Sequence, residues 1–428
     1  MIRIHRLNEI SRDEILCRSI GSYPEFEKSV NEILATVEKE GDAALYAYAA
    51  RFDKVELSNL LVSQEEIDEA FSKVDPAYIE ILRKATANIS EYHAKQKRSG
   101  FEMRREGGVI LGQKITPIEK AGLYVPGGTA SYPSTVLMNA IPAKIAGVKE
   151  VVITTPPGKD GKIRAEVLVA ASLCGVDKIV KSGGAQAIGA LAFGTQSVPK
   201  VDKIVGPGNI FVALAKKAVF GRVNIDMIAG PSEILVLADD SANPAYVAAD
   251  LLSQAEHDKL ATAVLVTDSQ RLATAVQTEV ERQLALLERS EIARASIDDN
   301  GKIILVENIE EAIEVSNLIA PEHLDLAVND PMTLLPKIEN AGSIFMGHYT
   351  PEPMGDYFAG PNHTLPTGGS ARFSSPLSVD DFIKKTQYLY YTPDELEKAY
   401  QDVAVFARSE GLTAHARAVE IRFEEDQK

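Results

Sequence analysis

From Gly107 onward, short runs of β-branched residues alternate with alanine-rich stretches, and glycine or proline marks the joins. In the first series, strands are expected at 150–154, 178–181 and 203–205. Helices are expected at 134–146, 164–173, 185–192 and 209–219. A second series places strands at 234–239, 262–266, 302–306 and 343–346, with helices at 244–257, 269–287 and 309–319. Alternation of this kind argues for parallel sheet flanked by helices. Two similar units in one chain suggest an old duplication or two cofactor-type domains facing a cleft.

The flanks read differently. Apolar residues at spacings of three and four in Val30–Val37 and Ile67–Ile89 make residues 1–100 mostly helical. The tail reads as charged helix at 379–389 and 393–408. The expected class is α/β: two Rossmann-like parallel-sheet domains with helical N-terminal and C-terminal extensions. The expected division is an arm at 1–20, a first α/β domain at 21–118 with 233–375, a second at 119–232, and a tail at 376–428.

Composition narrows the partners. A net charge of −16 disfavours nucleic acid and anionic membrane, both of which need basic surface. No apolar run approaches the roughly 18 residues that span a bilayer, and no signal-peptide stretch follows Met1. Cys17 and Cys174 have no metal-ligand spacing and read as buried small hydrophobes. A cytoplasmic protein is expected.

Three glycine-rich joins, Val125-Pro-Gly-Gly128, Ser182-Gly-Gly-Ala-Gln186 and Val205-Gly-Pro-Gly-Asn209, lie between expected strands and helices. Glycine lets a ligand approach the backbone, and a helix N-terminus offers N–H groups to an anion. A phosphate-bearing cofactor could use them, beside Tyr124, Gln186 and Asn209; ordinary tight turns are the alternative. None is the spaced G-x-G-x-x-G of a dinucleotide fingerprint.

Four of the seven histidines, His257, His323, His363 and His415, sit in short polar segments beside carboxylates or amides. Imidazole is the commonest transition-metal ligand and the side chain most easily switched near neutral pH. Gln254 and His257, three apart on an expected helix, share one face. With Asp356 in a Gly/Pro-rich loop and His415 near the C-terminus, they would suit Zn²⁺; surface polarity is the alternative. Glu322 and His323 follow Pro321, where extended backbone would send them to opposite sides and so to two steps of one reaction. A polar helix start would explain them equally well.

Together these segments resemble the histidinol dehydrogenase family over most of the chain. The resemblance rests on Gly122-Leu-Tyr-Val-Pro-Gly-Gly128, Gly183–Gly194, Asp202–Asn209, Gly230-Pro-Ser-Glu233, Leu251–His257, Pro321-Glu-His323 and Asn362–Thr367, seven blocks in family order. It implies NAD-dependent, zinc-containing oxidation of L-histidinol to L-histidine through the aldehyde, the last step of histidine biosynthesis. Carried over by residue, Gln254, His257, Asp356 and His415 match zinc ligands, and Glu322 and His323 the catalytic pair. Tyr124, Gln186 and Asn209 match NAD contacts. Ser232, His363 and Glu410 match substrate-binding positions, which His323 and the zinc ligands share. The resemblance also implies a homodimer in which Glu410 and His415 reach the neighbouring subunit's site through an exchanged tail. The rival readings are a family member oxidising another small alcohol, such as a sulfonated propanediol, and a non-catalytic metal- or nucleotide-binding regulator.

Overall fold

The structure, a computed structural model, describes residues 1–16, 24–127 and 132–424, so Cys17 and Gly128 lie outside the described residues. The chain forms two compact units: Met1–Lys97 with Ile118–Phe382, and Arg98–Pro117 with Ile383–Lys428.

Along the chain, β1 (Arg3–Arg6) precedes an antiparallel pair, β2 (Phe101–Arg104) and β3 (Ile110–Pro117). Next come β4 (Lys120–Tyr124), β5 (Glu150–Thr155), β6 (Lys178–Lys181), β7 (Lys203–Val205) and β8 (Asn224–Ile225). The later strands are β9 (Glu233–Ala238), β10 (Thr262–Thr267), β11 (Lys302–Leu305), β12 (His323–Ala327), β13 (Ser343–Met346) and β14 (Ile383–Tyr390).

In the first unit two parallel sheets form, ordered β6-β5-β4-β7-β8 and β1-β11-β10-β9-β12-β13. The α/β class therefore holds. Every residue of β9 and β10 is buried, which explains why these strands read as continuous apolar runs rather than alternating ones. In both sheets the chain reverses its direction of travel beside a central strand: between β4 and β7 in one, between β9 and β12 in the other.

The early helices pack on the five-stranded layer. Val30, Ile33, Leu34 and Val37 of the helix Pro24–Glu40 share a cluster with Ile188 and Leu191. A Cβ on Gly189 would stand 3.1 Å from the Leu34 side chain, so the two helices approach closely where glycine leaves room. Leu82 and Ile89 of the helix Pro76–Ala94 likewise join Val136 and Ile141. The sequence had grouped residues 21–118 with the later sheet. Their apolar stripes meet the small-residue faces of the earlier one, and no local pattern reveals which partner a stripe will find.

Two segments differ from expectation, β1 and 379–389, while the segment at Glu322 and His323 is extended as expected. β1, inside the expected arm, pairs in parallel with β11. β12 forms where a polar helix start was the alternative for Glu322 and His323. The expected helix at 379–389 is a short turn, Val379–Phe382, followed by β14, which pairs antiparallel with β3. Ile383 to Tyr390 is rich in aromatic and β-branched residues, and a distant partner strand settles it as strand. The turn into β12 carries one unusual backbone: Ala320, capping the helix Ile309–Ile319, has φ 52° and ψ 64°.

In the second unit β14, β3 and β2 form the sheet. The helices Pro393–Ser409 and Thr413–Glu420 pack on each other, joined by paired bonds from Arg408 to Glu420. Phe101, Leu389, Val405 and Phe406 are all exposed in this unit. Among the described residues, no helix is long and apolar enough to cross a membrane.

Candidate active site and metal centre

Two glycine-rich joins meet at the carboxyl ends of β4 and β7, the crevice beside a reversal in strand order where open α/β sheets bind ligands. Tyr124 ends β4, and its buried hydroxyl accepts a hydrogen bond from the Gly184 N–H at 3.0 Å. Gln186 is buried in the first turn of the helix Gly184–Phe193. Asn209 caps the helix Ile210–Val219, its Oδ1 accepting from Phe211 and Val212. Gly206, at φ 117°, needs glycine because a Cβ there would fall 2.2 Å from the Tyr124 carbonyl oxygen. A buried ion pair of Lys216 and Asp226 clamps this join. Lys216 Nζ donates to the Gly206 carbonyl at 2.9 Å, and the Gly206 N–H donates to Asp226 at 2.8 Å.

The second constellation lies at the opposite, amino-terminal edge of the six-stranded sheet. His323 opens β12 and is buried. Its Nδ1 donates to the backbone carbonyl of Glu233 at 2.8 Å, and the Glu233 N–H donates to Glu322 Oε2 at 2.9 Å. One residue at the head of β9 therefore holds both members of the expected catalytic pair. The two do not bond to each other: His323 Nδ1 lies 3.8 Å from Glu322 Oε2. Ser232 immediately precedes β9, and its carbonyl accepts from Thr262 at 3.0 Å.

His323 Nε2 faces two more carboxylates, Glu352 at 3.7 Å and Asp356 at 3.8 Å. Both sit on the short helix Glu352–Tyr357, where a Gly/Pro-rich loop was expected for Asp356. Gln254 lies in the last turn of the helix Pro244–Ala255. His257 is exposed just beyond its end, where its N–H bonds the Gln254 carbonyl at 3.0 Å, so the pair does not continue one helical face.

His363 is placed by a proline. Pro142, inside the helix Pro133–Ala146, cannot donate to the carbonyl four residues back. That carbonyl, of Met138, instead accepts from Asn362 Nδ2 at 2.6 Å. Next in sequence, His363 donates from Nδ1 to the Asp356 carbonyl at 3.0 Å.

Electrostatics separate these groups. Burial pushes Glu322 up to about 8, although the His323 imidazole opposes it. Burial alone would lower His323; Glu322, Asp356 and Glu352 outweigh it and push the imidazole up to about 10. Burial also works against ionisation of Asp356, yet the facing His323 holds its carboxyl well below the usual range. His363 and His257 are both held below the ordinary imidazole value, chiefly by desolvation, with Asp356 pulling the other way.

The donors fit a metal ion. His323, Glu352 and Asp356 place ligand atoms within 4.8 Å of one another. Buried polar atoms without a hydrogen-bond partner gather around them: His323 Nε2, Glu352 Oε1, and both the oxygen and nitrogen of Gln254. Native interiors leave few such atoms, and a cation amid carboxylates, an amide oxygen and imidazoles would satisfy them. Glu410, ending the helix Pro393–Ser409, and His415, on Thr413–Glu420, are exposed in the second unit. Neither is part of the cluster within the first. Sequence reasoning did not single out Glu233 or Glu352; Glu233 stood within a quoted block, but nothing local marked Glu352. Cys174 is half-buried, and burial pushes its thiol up to about 12, an inert structural position.

The histidinol dehydrogenase family model matches residues 17–423. Among curated proteins, the chain is 55% identical over 396 residues to the histidinol dehydrogenase of Clostridium acetobutylicum, covering 92% of each. It is 53% identical over 420 residues to that of Listeria monocytogenes, covering 98% of this chain and 97% of the other. The crystal structure of histidinol dehydrogenase from Elizabethkingia anophelis superposes with a TM-score of 0.94 at 40% identity, covering 98% of both chains. With a catalytic-type histidine among carboxylates and relatives matched nearly end to end, the chain belongs to the histidinol dehydrogenase family, NAD-dependent, zinc-containing oxidoreductases of histidine biosynthesis.

Proposed function

We propose that this chain oxidises L-histidinol to L-histidine through L-histidinaldehyde, with His323 and Glu322 dividing the proton transfers. The observation that carries this reading is the His323 tautomer. With Nδ1–H committed to the Glu233 carbonyl, the neutral ring presents Nε2 as its basic atom. When bound, zinc supplies a Lewis acid that orients the substrate's imidazole and amine, and NAD⁺ accepts the hydride. A cation among these carboxylates also offsets the field that now holds His323 protonated.

His323 Nε2 takes the carbinol proton as the C–H bond gives up hydride. Glu322, whose proton affinity burial has raised towards neutrality, takes a proton from the water that adds to the aldehyde carbon. His323, having released its first proton, takes one from the hydrated aldehyde as the second hydride leaves. Gln254, His257 and Asp356 hold the metal and, with Ser232 and His363, the substrate. Tyr124, Gln186 and Asn209 border the cofactor site.

The remaining ligands come from a second copy of the chain in a cytoplasmic homodimer, whose Glu410 and His415 close the site. The family resemblance supports this, as does the exposed apolar surface of the second unit around Phe101, Leu389 and Phe406.

The test is NADH formed per L-histidinol consumed, before and after chelation and zinc return. Two NADH per substrate, lost with the metal and restored by it, is expected. No turnover by zinc-loaded protein would overturn the reading.

A further inference from the structure

Glu352 is 2% exposed and its Oε1 has no hydrogen-bond partner. It is not among the residues carried over from the family motifs, yet it lies between two that are. Its Oε1 stands 3.7 Å from His323 Nε2, and its Oε2 accepts from the Ser253 hydroxyl at 3.3 Å, one residue before Gln254. Gln254 is 1% exposed, and its amide lies beside Glu352 and lowers that carboxyl, although neither amide atom reaches full hydrogen-bond geometry.

An amide can turn either end to a cation, and only the oxygen binds. Its NH₂ then points away from the metal and, this deeply buried, needs an acceptor. A carboxyl keeps an accepting oxygen in either protonation state, and the buried Glu352 Oε1, without a hydrogen-bond partner, is such an acceptor beside this amide. We propose that Glu352 is a positioning residue for the metal centre: it accepts from the Gln254 NH₂, so that the amide presents its oxygen to zinc. Glu352 acts here from outside the coordination sphere, as carboxylates do behind metal-binding histidines.

This inference rests on Gln254 as a zinc ligand, and a double-mutant cycle separates the two claims. Zinc affinity is measured by competition with a chromophoric chelator for wild type, Glu352→Leu, Gln254→Ala and the double variant, with melting of the metal-free proteins as the folding control. Glu352→Leu should weaken zinc binding by about 10- to 100-fold. In the Gln254→Ala background the same change should have almost no effect. Glu352→Gln keeps a carbonyl acceptor and should recover part of the loss; it also carries the cycle if the leucine variant does not fold. A full loss that persists without Gln254 would make Glu352 a direct ligand and overturn the proposal. Unchanged affinity in Glu352→Leu would also overturn it while leaving the proposed function intact. Absence of zinc binding by wild type would instead sink the function.

Discussion

The Nδ1 of His323 donates to the backbone carbonyl of Glu233 at 2.8 Å, and the same residue's N–H donates to Glu322 at 2.9 Å. Both members of the proposed catalytic pair are thus referenced to one peptide segment at the head of a fully buried strand. A scaffold held by parallel pairing on both sides gives two groups that do not touch each other a fixed separation.

Removing the imidazole should therefore affect chemistry far more than assembly. His323→Ala is expected to lower kcat by about 10²- to 10⁴-fold, the usual contribution of a positioned general base. Zinc content should stay at the wild-type level. Metal analysis beside steady-state rates checks this; a parallel loss of zinc would mean that the ring is a ligand.

The pair should separate by half-reaction. Glu322→Gln is expected to slow oxidation of the aldehyde more than oxidation of the alcohol, because only the former needs an activated water. Supplying each substrate separately measures the two rates. Equal losses would refute the division of labour.

Stability at the carboxyl end of β7 depends on the Lys216–Asp226 pair, whose side chains are almost wholly buried. Lys216→Met leaves an unpaired buried carboxylate and should cost about 3–5 kcal/mol. Replacing both partners with apolar residues should cost less, because no lone charge remains. Urea unfolding of the single and double variants gives the comparison.

Asp53 predicts a pH dependence of stability. Burial raises its carboxyl from 3.8 to about 6, and Oδ2 has no partner. The fold thus favours the neutral acid, so its destabilising contribution grows as pH rises from about 4 through about 6 and is then constant. Asp53→Asn should match wild type below pH 4 and unfold at higher urea than wild type at pH 7.5. Equal midpoints at pH 7.5 would contradict the shift.

Exchange of the tail is testable by complementation. His257→Ala and His415→Ala should each be inactive alone. If each site draws on two chains, every mixed dimer keeps one intact site, and random mixing should restore up to about a quarter of activity. No recovery in verified mixed dimers would count against shared sites.

Much of this architecture was legible because local pattern and tertiary role coincide. The apolar runs of β9 and β10 are strands buried on both faces, and the alanine-rich stretches between glycines became the helices that cover the five-stranded sheet. Reading failed where the deciding partner is remote. β1 needs β11, and β14 needs β3, neither of which lies within any local window. At the site, His323 and Asp356 were visible as residue types in polar segments. Glu352 was not, because an acidic residue after a proline has nothing unusual about it until its carboxylate is seen buried and unpartnered. The helical alternative for Glu322 failed for a related reason: strands β9 and β13 on either side decide the conformation of that segment.

Ala320 adopts a left-handed backbone, φ 52°, directly before Pro321, a conformation that costs a non-glycine residue about 1–2 kcal/mol. From there the chain enters β12 already paired on both sides, so the strand has no freedom to absorb an altered length. Inserting or deleting one residue in this turn would shift β12 by one position and carry its first side chains to the other face. The site would then present glutamate where it needs imidazole. Surface connections usually tolerate insertions; this one counts residues, and its length is as much part of the chemistry as the histidine it delivers.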